Sequence, residues 1–509
     1  MQCVECESDS VKSLGARFHG KEKFMKYVCD DCGQDMLVPL DSAVSDEDDD
    51  FPIFPATERN IASAKRIVVT SATNNSKVNQ IFLSALERYC SEMDAVLVVI
   101  PIRYRNNDGD PTIFDDKILD YVVDHTIKLD HSAMKIMGSI KISPTADNPL
   151  SGMDPISKGS SIVIGHPQVS LKTMPQHNNG YPPIITTTGS ITEPNYIQSK
   201  AGIKAEFNHC YSAVLIEQDA GTFFIRHLNF DGVGFADLGD YFTPEGISEI
   251  DTAAIITGDE HAVFSDYDVA SATYLDDKSL VKTLKPSVIV RHDILDCFSV
   301  SHHHKKNTFT RYAKWKSGYN SIEAELNETL AYLVATSPEN TENWIISSNH
   351  NEHLLRWLNE CDPKIEPWNA IIYHELMYKM LKQTNMGDNG AEYPDPFELY
   401  CDGKLTENFR FMGRRDSTQI FDIEVGYHGD QGTNGARGSR AQFSILPTKT
   451  VVGHSHSPGI TKGCYQVGTS STLAMEYNVG PSSWHHAHCI VYGNGKRQLV
   501  FIVDGKYRI

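Results

Sequence analysis

The sequence predicts a mixed α/β protein: a strand-rich C-terminal half, an accessory α/β region before it, and a short cysteine-bound segment at the start. Three observations lead there. After Asp251, five short apolar runs each end in His, Asp or Asn. Residues 66–100 alternate strand, helix and strand at the spacing of a parallel βαβ unit. Two Cys-x-x-Cys pairs open the chain.

Composition sets the bounds. The 509 residues can bury more than one core. Hydrophobic residues at 40% and charged residues at 22% are ordinary for a globular protein. No run of eighteen apolar residues occurs, and the N-terminus lacks a basic segment followed by an apolar one. A cytoplasmic protein with no membrane partner is therefore expected. The net charge of -20 argues against a protein that coats nucleic acid without regard to sequence. It leaves room for an enzyme that meets DNA through local basic patches and bound cations.

Residues 1–45 read as a zinc ribbon. Cys3 and Cys6 are followed, after twenty-two residues, by Cys29 and Cys32. Four thiolates in two knuckles suit one structural zinc and leave no open position for catalysis. Whether such a ribbon docks a partner or only staples the fold stays open. Residues 46–60, acidic and proline-punctuated, read as a solvated linker. Residues 61–250 form the accessory α/β domain, with strands at 66–70 and 95–100 around a helix at 78–89. They carry no chemical motif, and their role is unassigned. Seven of the eleven cysteines are scattered, as expected of thiols in a reducing compartment. Residues 251–509 form the last domain, with helices expected at 321–336, 352–359 and 369–382 and a strand at 499–503.

The chemistry gathers in that domain. Residues 253–257 run into Asp259 and His261, and 288–290 into His292 and Asp293. Residues 344–348 run into Asn349 and His350, 423–427 into His428, and 450–452 into Gly453-His454-Ser455-His456. An apolar strand that ends in a ligand residue sets it at the C-terminal edge of a sheet, where α/β sites form. Carboxylate, amide and imidazole together suit Mn, Fe or Zn.

These segments resemble the calcineurin-like metallophosphoesterase superfamily over residues 251–480. The resemblance implies a β-sandwich flanked by helices and two divalent metals, Mn or alternatively Fe or Zn. It implies that Asp259, His261 and His456 bind the first metal, that Asn349, His428 and His454 bind the second, and that Asp293 bridges both. A metal-bridging hydroxide would attack phosphorus in line, with catalytic His350 beside the leaving oxygen. The sequence departs from the pattern at His292, where Gly is usual, at Ser348, and at Asn351, where an acid normally orients the catalytic His. Glu352 and Asp296 are candidates for that orienting role.

The Gly-rich loop at 427–438 resembles phage-encoded members of the superfamily and points to pre-early proteins that degrade host DNA. Arg437 and Arg440 in or beside it are candidates for phosphate contact, or equally for solvent-facing turn residues. Residues 302–316, with Lys305, Lys306 and Arg311, and residues 409–415 interleave cations with aromatics, as single-strand binders do. The expectation is a deoxyribonuclease, similar in site type to the double-strand-break repair nucleases and open to homo-oligomer formation. The alternatives are a phosphatase or phosphodiesterase for a nucleotide or phosphoprotein, and a docking platform without catalysis. His485, His486 and His488 are expected to be structural or surface histidines rather than a metal site.

Overall fold

The computed structural model comprises two units. One comprises Met1–Met174, Pro183–Ile250 and Arg508–Ile509; the other comprises Pro175–Pro182 and Asp251–Tyr507. The structure describes residues 2–19, 22–39, 58–104, 113–177, 180–388 and 390–509. Most of the expected acidic linker, up to residue 57, lies outside the described residues.

The first unit opens with three antiparallel strands, Val11–His19, Glu22–Cys29 and Asp35–Pro39. A four-stranded sheet follows, in the order Thr222–Asn229, Ser212–Asp219, Arg66–Thr73 and Val96–Ile102. Its last two strands pair in parallel and are joined through the helix Gln80–Met93. Phe82, Leu86 and Tyr89 on one face of that helix pack with Phe230, Phe235 and Phe242. A polar knot is buried nearby. Arg226 reaches Asp237 at 2.6 Å and Glu217 at 2.8 Å, so each buried charge has a partner. A second layer runs Ser170–Thr173, Ile184–Thr187, Ser161–Ile164, Met134–Met137, Thr126–Lys128.

The second unit is built on a six-stranded sheet in the order Phe409–Met412, Glu342–Ile346, Val288–Arg291, Thr252–Ile256, Ala487–Tyr492, Arg497–Phe501. The first four strands run parallel and the last two antiparallel. The inner strands Thr252–Ile256 and Val288–Arg291 are largely apolar because both faces are covered, while the edge strand Phe409–Met412 stays partly exposed. A second sheet orders Gln419–Ile420, Ile423–Glu424, Lys449–Val452, Cys464–Gln466 and Gly459–Thr461. Helices Ile322–Ala335, Asn349–Glu360, Ala370–Gln383 and Pro396–Cys401 supply Leu326, Leu354, Leu376 and Phe397 to one apolar cluster.

Among the boundaries that shift from the sequence reading, such as the helix expected at 78–89 that runs Gln80–Met93, one touches the candidate ligands. The helix expected from residue 352 already begins at Asn349. Ser348 accepts from the backbone of His350, and the Asn351 side chain closes the capping box, so Asn349 and His350 occupy the first helical turn. Among the described residues, no helix is long and apolar enough to cross a membrane.

Candidate metal centre

The loops that follow the parallel strands are locked to one another by backbone bonds. The amides of Glu260, His261 and Ala262 donate to the carbonyls of His292, Asp293 and Ile294 at 2.8–3.0 Å. The loop after Thr252–Ile256 is thereby zipped to the loop after Val288–Arg291, with Asp259, His261 and Asp293 held side by side. A side chain at Gly453 would collide with the Asp259 carboxylate, so glycine lets this loop close on it. His261, Asp293, His454 and His456 all have positive φ, between 42° and 73°. Non-glycine residues are uncommon there, and such strain collects at functional sites.

The side chains converge in two sets that share Asp293. Asp259, His261, Asp293 and His456 offer ligand atoms within 4.8 Å of one another, and so do Asp293, His428 and His454. His456 Nε2 lies 3.0 Å from Asp259 Oδ2, and His428 Nε2 lies 3.0 Å from Asp293 Oδ2. Yet both oxygens of Asp259, Oδ1 of Asp293, Oδ1 of Asn349 and Nε2 of His428 are shut from solvent with no aligned hydrogen bond. Buried donors and acceptors left unpaired cost free energy, and buried carboxylates cost most. Lone pairs aimed at shared points are what divalent cations would satisfy, so these residues fit metal ions.

Electrostatics agree with that reading. Burial raises the Asp259 carboxyl, but the imidazoles of His456 and His428 more than offset it and hold it at about 2. Burial lowers His261, while Asp296, Asp293 and Asp259 together carry it up to about 9. The cluster thus attracts positive charge, and a cation arriving there would displace protons.

Further residues hold these ligands in place. Asp296 accepts the Nδ1 hydrogen of His261 at 2.8 Å through its carboxylate and that of His350 at 2.7 Å through its backbone carbonyl. Of the two candidates for orienting His350, Glu352 instead pairs with Arg414 at 3.1 Å. Asn351 serves the helix cap and Asp395. His292 sits beside His428, their Nδ1 atoms 3.4 Å apart. His488 accepts from the amide of Gly258 at 2.9 Å, steadying the residue before Asp259. With His485 and His486 it is buried and hydrogen-bonded, a structural role and not a surface one.

A cleft of about 900 Å³ opens over the centre. Asp293, Asn349, His350, His454, His456 and Arg437 line it, with Tyr477 and Trp484 as an aromatic wall. The Trp484 ring packs 4.1 Å from that of His456. Arg440 lies outside this lining, on the short helix Arg440–Phe443. Lys305 reaches Glu360 at 3.4 Å and, with Arg311, lines a separate hollow of about 340 Å³, while Lys306 is exposed. Lys314 is buried against Phe298, its Nζ 4.1 Å from the ring centroid. In the 409–415 patch, Arg410 pairs with Glu342 and Arg414 with Glu352 and Asp430, so two of its three arginines are neutralised.

At the other end of the chain the four N-terminal sulfurs come together. Cys3 and Cys32 are 3.6 Å apart, and Cys6 and Cys29 are 3.5 Å apart. Ligands 2.3 Å from a tetrahedral zinc would be about 3.8 Å apart, so the set fits a metal ion of that kind.

The chain is 32% identical over 468 residues to Protein A1 of Escherichia phage T5, a match covering 88% of this chain and 83% of that protein. No family model matches, and no solved structure does.

Proposed function

Because the chain belongs to the family of Protein A1 of Escherichia phage T5, a name that states no chemistry, we propose its function from its own side chains: a two-metal phosphodiester hydrolase of the calcineurin-like type, acting as a deoxyribonuclease in the host cytoplasm. The observation that carries this reading is the pair of ligand sets sharing Asp293, with buried carboxylate, amide and imidazole atoms left without an aligned hydrogen bond.

Asp259, His261 and His456 would hold one cation, Asn349, His428 and His454 the other, and Asp293 both. Two such cations, Mn or alternatively Fe or Zn, supply a water acidic enough to attack phosphorus at neutral pH and a clamp on the phosphoryl oxygens. His350 gives its Nδ1 hydrogen to the Asp296 carbonyl, which leaves Nε2 to carry a proton to the leaving oxygen. Arg437 lines the cleft and is available to a non-bridging phosphate oxygen. The cysteine set would hold one structural zinc.

Support for DNA comes from the helix Thr308–Ser317. Phe309, Tyr312 and Trp315 are 88%, 61% and 58% exposed on it, with Arg311 and Lys316 also exposed beside them. Exposed aromatics among cations are a stacking surface for unpaired bases.

The test is incubation of the purified chain with plasmid and linear DNA, with and without Mn²⁺, alongside Asp293→Ala and His428→Ala. Mn-dependent degradation lost in both variants is expected. Intact DNA under every condition, with turnover of p-nitrophenyl phosphate, would replace the nuclease by a phosphatase for a nucleotide or phosphoprotein.

A further inference from the structure

Three imidazoles outside the dinuclear set meet at the side of the same cleft. The short turn His302–His304 follows Ser301, and the helix Asn349–Glu360 carries His350 and His353 one turn apart on one face. His302 and His303 face His353 across that gap. Ring centroids are 4.8 Å apart for His302 and His353, 5.9 Å for His303 and His353, and 3.9 Å for His302 and His303.

Each ring offers one nitrogen, and the three nitrogens lie within 4.8 Å of one another. Nδ1 of His302 and Nδ1 of His353 are shut from solvent and have no hydrogen-bond partner. Simple packing of surface histidines does not account for this. An imidazole nitrogen denied both water and a partner is a cost, and protonating a desolvated imidazole costs more still. A shared metal ion removes both penalties. Nitrogens 2.0–2.1 Å from a tetrahedral zinc are about 3.3 Å apart, so small side-chain rotations close the set.

We propose that His302, His303 and His353 form a third divalent-cation site, separate from the dinuclear centre. The set holds no carboxylate. An all-imidazole site favours Zn²⁺, Co²⁺ or Cu²⁺ over Mn²⁺ or Mg²⁺, so it takes a different metal from a mixed carboxylate centre. Three ligands leave a fourth position open. His303 and His353 both line the cleft, so that position is accessible to an anionic group entering it, such as a phosphate oxygen. The site does not depend on the dinuclear centre being catalytic.

Zinc binding to the full chain tests it. Protein equilibrated with Zn²⁺ by dialysis is analysed for bound metal per chain, with affinity followed by competition against a chelator. The variants are His353→Gln, which keeps the side chain polar and of similar length, and His303→Asn, at an exposed position where folding is not at stake. Both should bind one fewer zinc than the wild type, or bind that equivalent about 10–100-fold more weakly or worse. Asp293→Asn, which damages the dinuclear centre, should leave that equivalent in place, so loss of the two sites is read separately. If either histidine variant keeps the wild-type count and affinity, the three-histidine site is wrong.

Discussion

Asp296 serves two histidines with two different oxygens, and this makes its contribution separable. Its carboxylate orients His261, and its backbone carbonyl orients His350. Asp296→Asn therefore disturbs the metal side first, because the carboxylate lies 2.8 Å from His261 Nδ1 but 3.7 Å from His350 Nδ1. The expected result is about 10–100-fold weaker metal activation, seen as a rightward shift in the Mn²⁺ dependence of hydrolysis. An unshifted curve with a lower plateau would mean that Asp296 acts through His350 instead. His488 gives a stability counterpart. His488→Phe leaves the buried amide of Gly258 without its acceptor, at a cost of about 1–3 kcal/mol. Urea denaturation measures it, and an unchanged midpoint would refute it. The contrast explains what the chain itself reveals. Each candidate ligand follows an apolar run directly, so local pattern exposes it. The contacts that position the ligands do not follow any local pattern: Asp296 stands out as a candidate for His350, but its bond to His261 spans 35 residues, and that of His488 to Gly258 spans 230.

At the scale of the element, the helix Asn349–Glu360 ties fold to site. Its Ser348 cap sets the first turn, and that turn carries Asn349 and His350. Ser348→Ala should cost about 1 kcal/mol of stability, and activity should fall by more than that loss implies, because Asn349 shifts with the cap. Equal activity per folded molecule would show that the cap only stabilises. The helix was legible from residue 352 onward, where apolar spacing is regular. Its start was not, because Asn and His at 349–351 are poor helix formers that only the capping box holds in helical geometry. The helix Thr308–Ser317 shows the converse. Its basic-aromatic composition is plain in the sequence, but composition does not tell that Lys314 turns inward onto Phe298 while Phe309, Tyr312 and Trp315 stay exposed. Trp315→Ala should weaken single-stranded DNA binding by about 1–3 kcal/mol and leave p-nitrophenyl phosphate turnover unchanged. Unaltered DNA binding would remove this helix from the substrate path.

Across the whole molecule, buried histidines govern the response to acid. Burial pushes His166, His209 and His227 down to about 4, and His485 and His488 down to about 3. All five are neutral when folded at pH 7 and take up protons near pH 6.5 once unfolded. Between about 6.5 and 4 the unfolded chain therefore binds more protons, and stability falls as pH falls. Glu325 opposes this. Burial and the charge of Asp296 raise it to about 7 against the bonds from Phe298 and Ser299, so its contribution is complete below its unfolded value near 4.5 and is lost as pH rises to 7. Five groups outweigh one, and each proton is worth about 1.4 kcal/mol per pH unit. Denaturant midpoints should drop steeply from pH 7 to pH 5. Metal release from the histidine clusters would add to the drop, so the decisive comparison is His227→Gln, which sits in the first unit on hydrogen bonds to Thr186 and Thr187. Its stability profile should be flatter than the wild type's by about one proton, or 1.4 kcal/mol per pH unit. Parallel profiles would mean that His227 is not held neutral by burial. None of this ordering is visible in the sequence, where twenty-one histidines look alike; only the packing of distant strands decides which imidazoles lose their water.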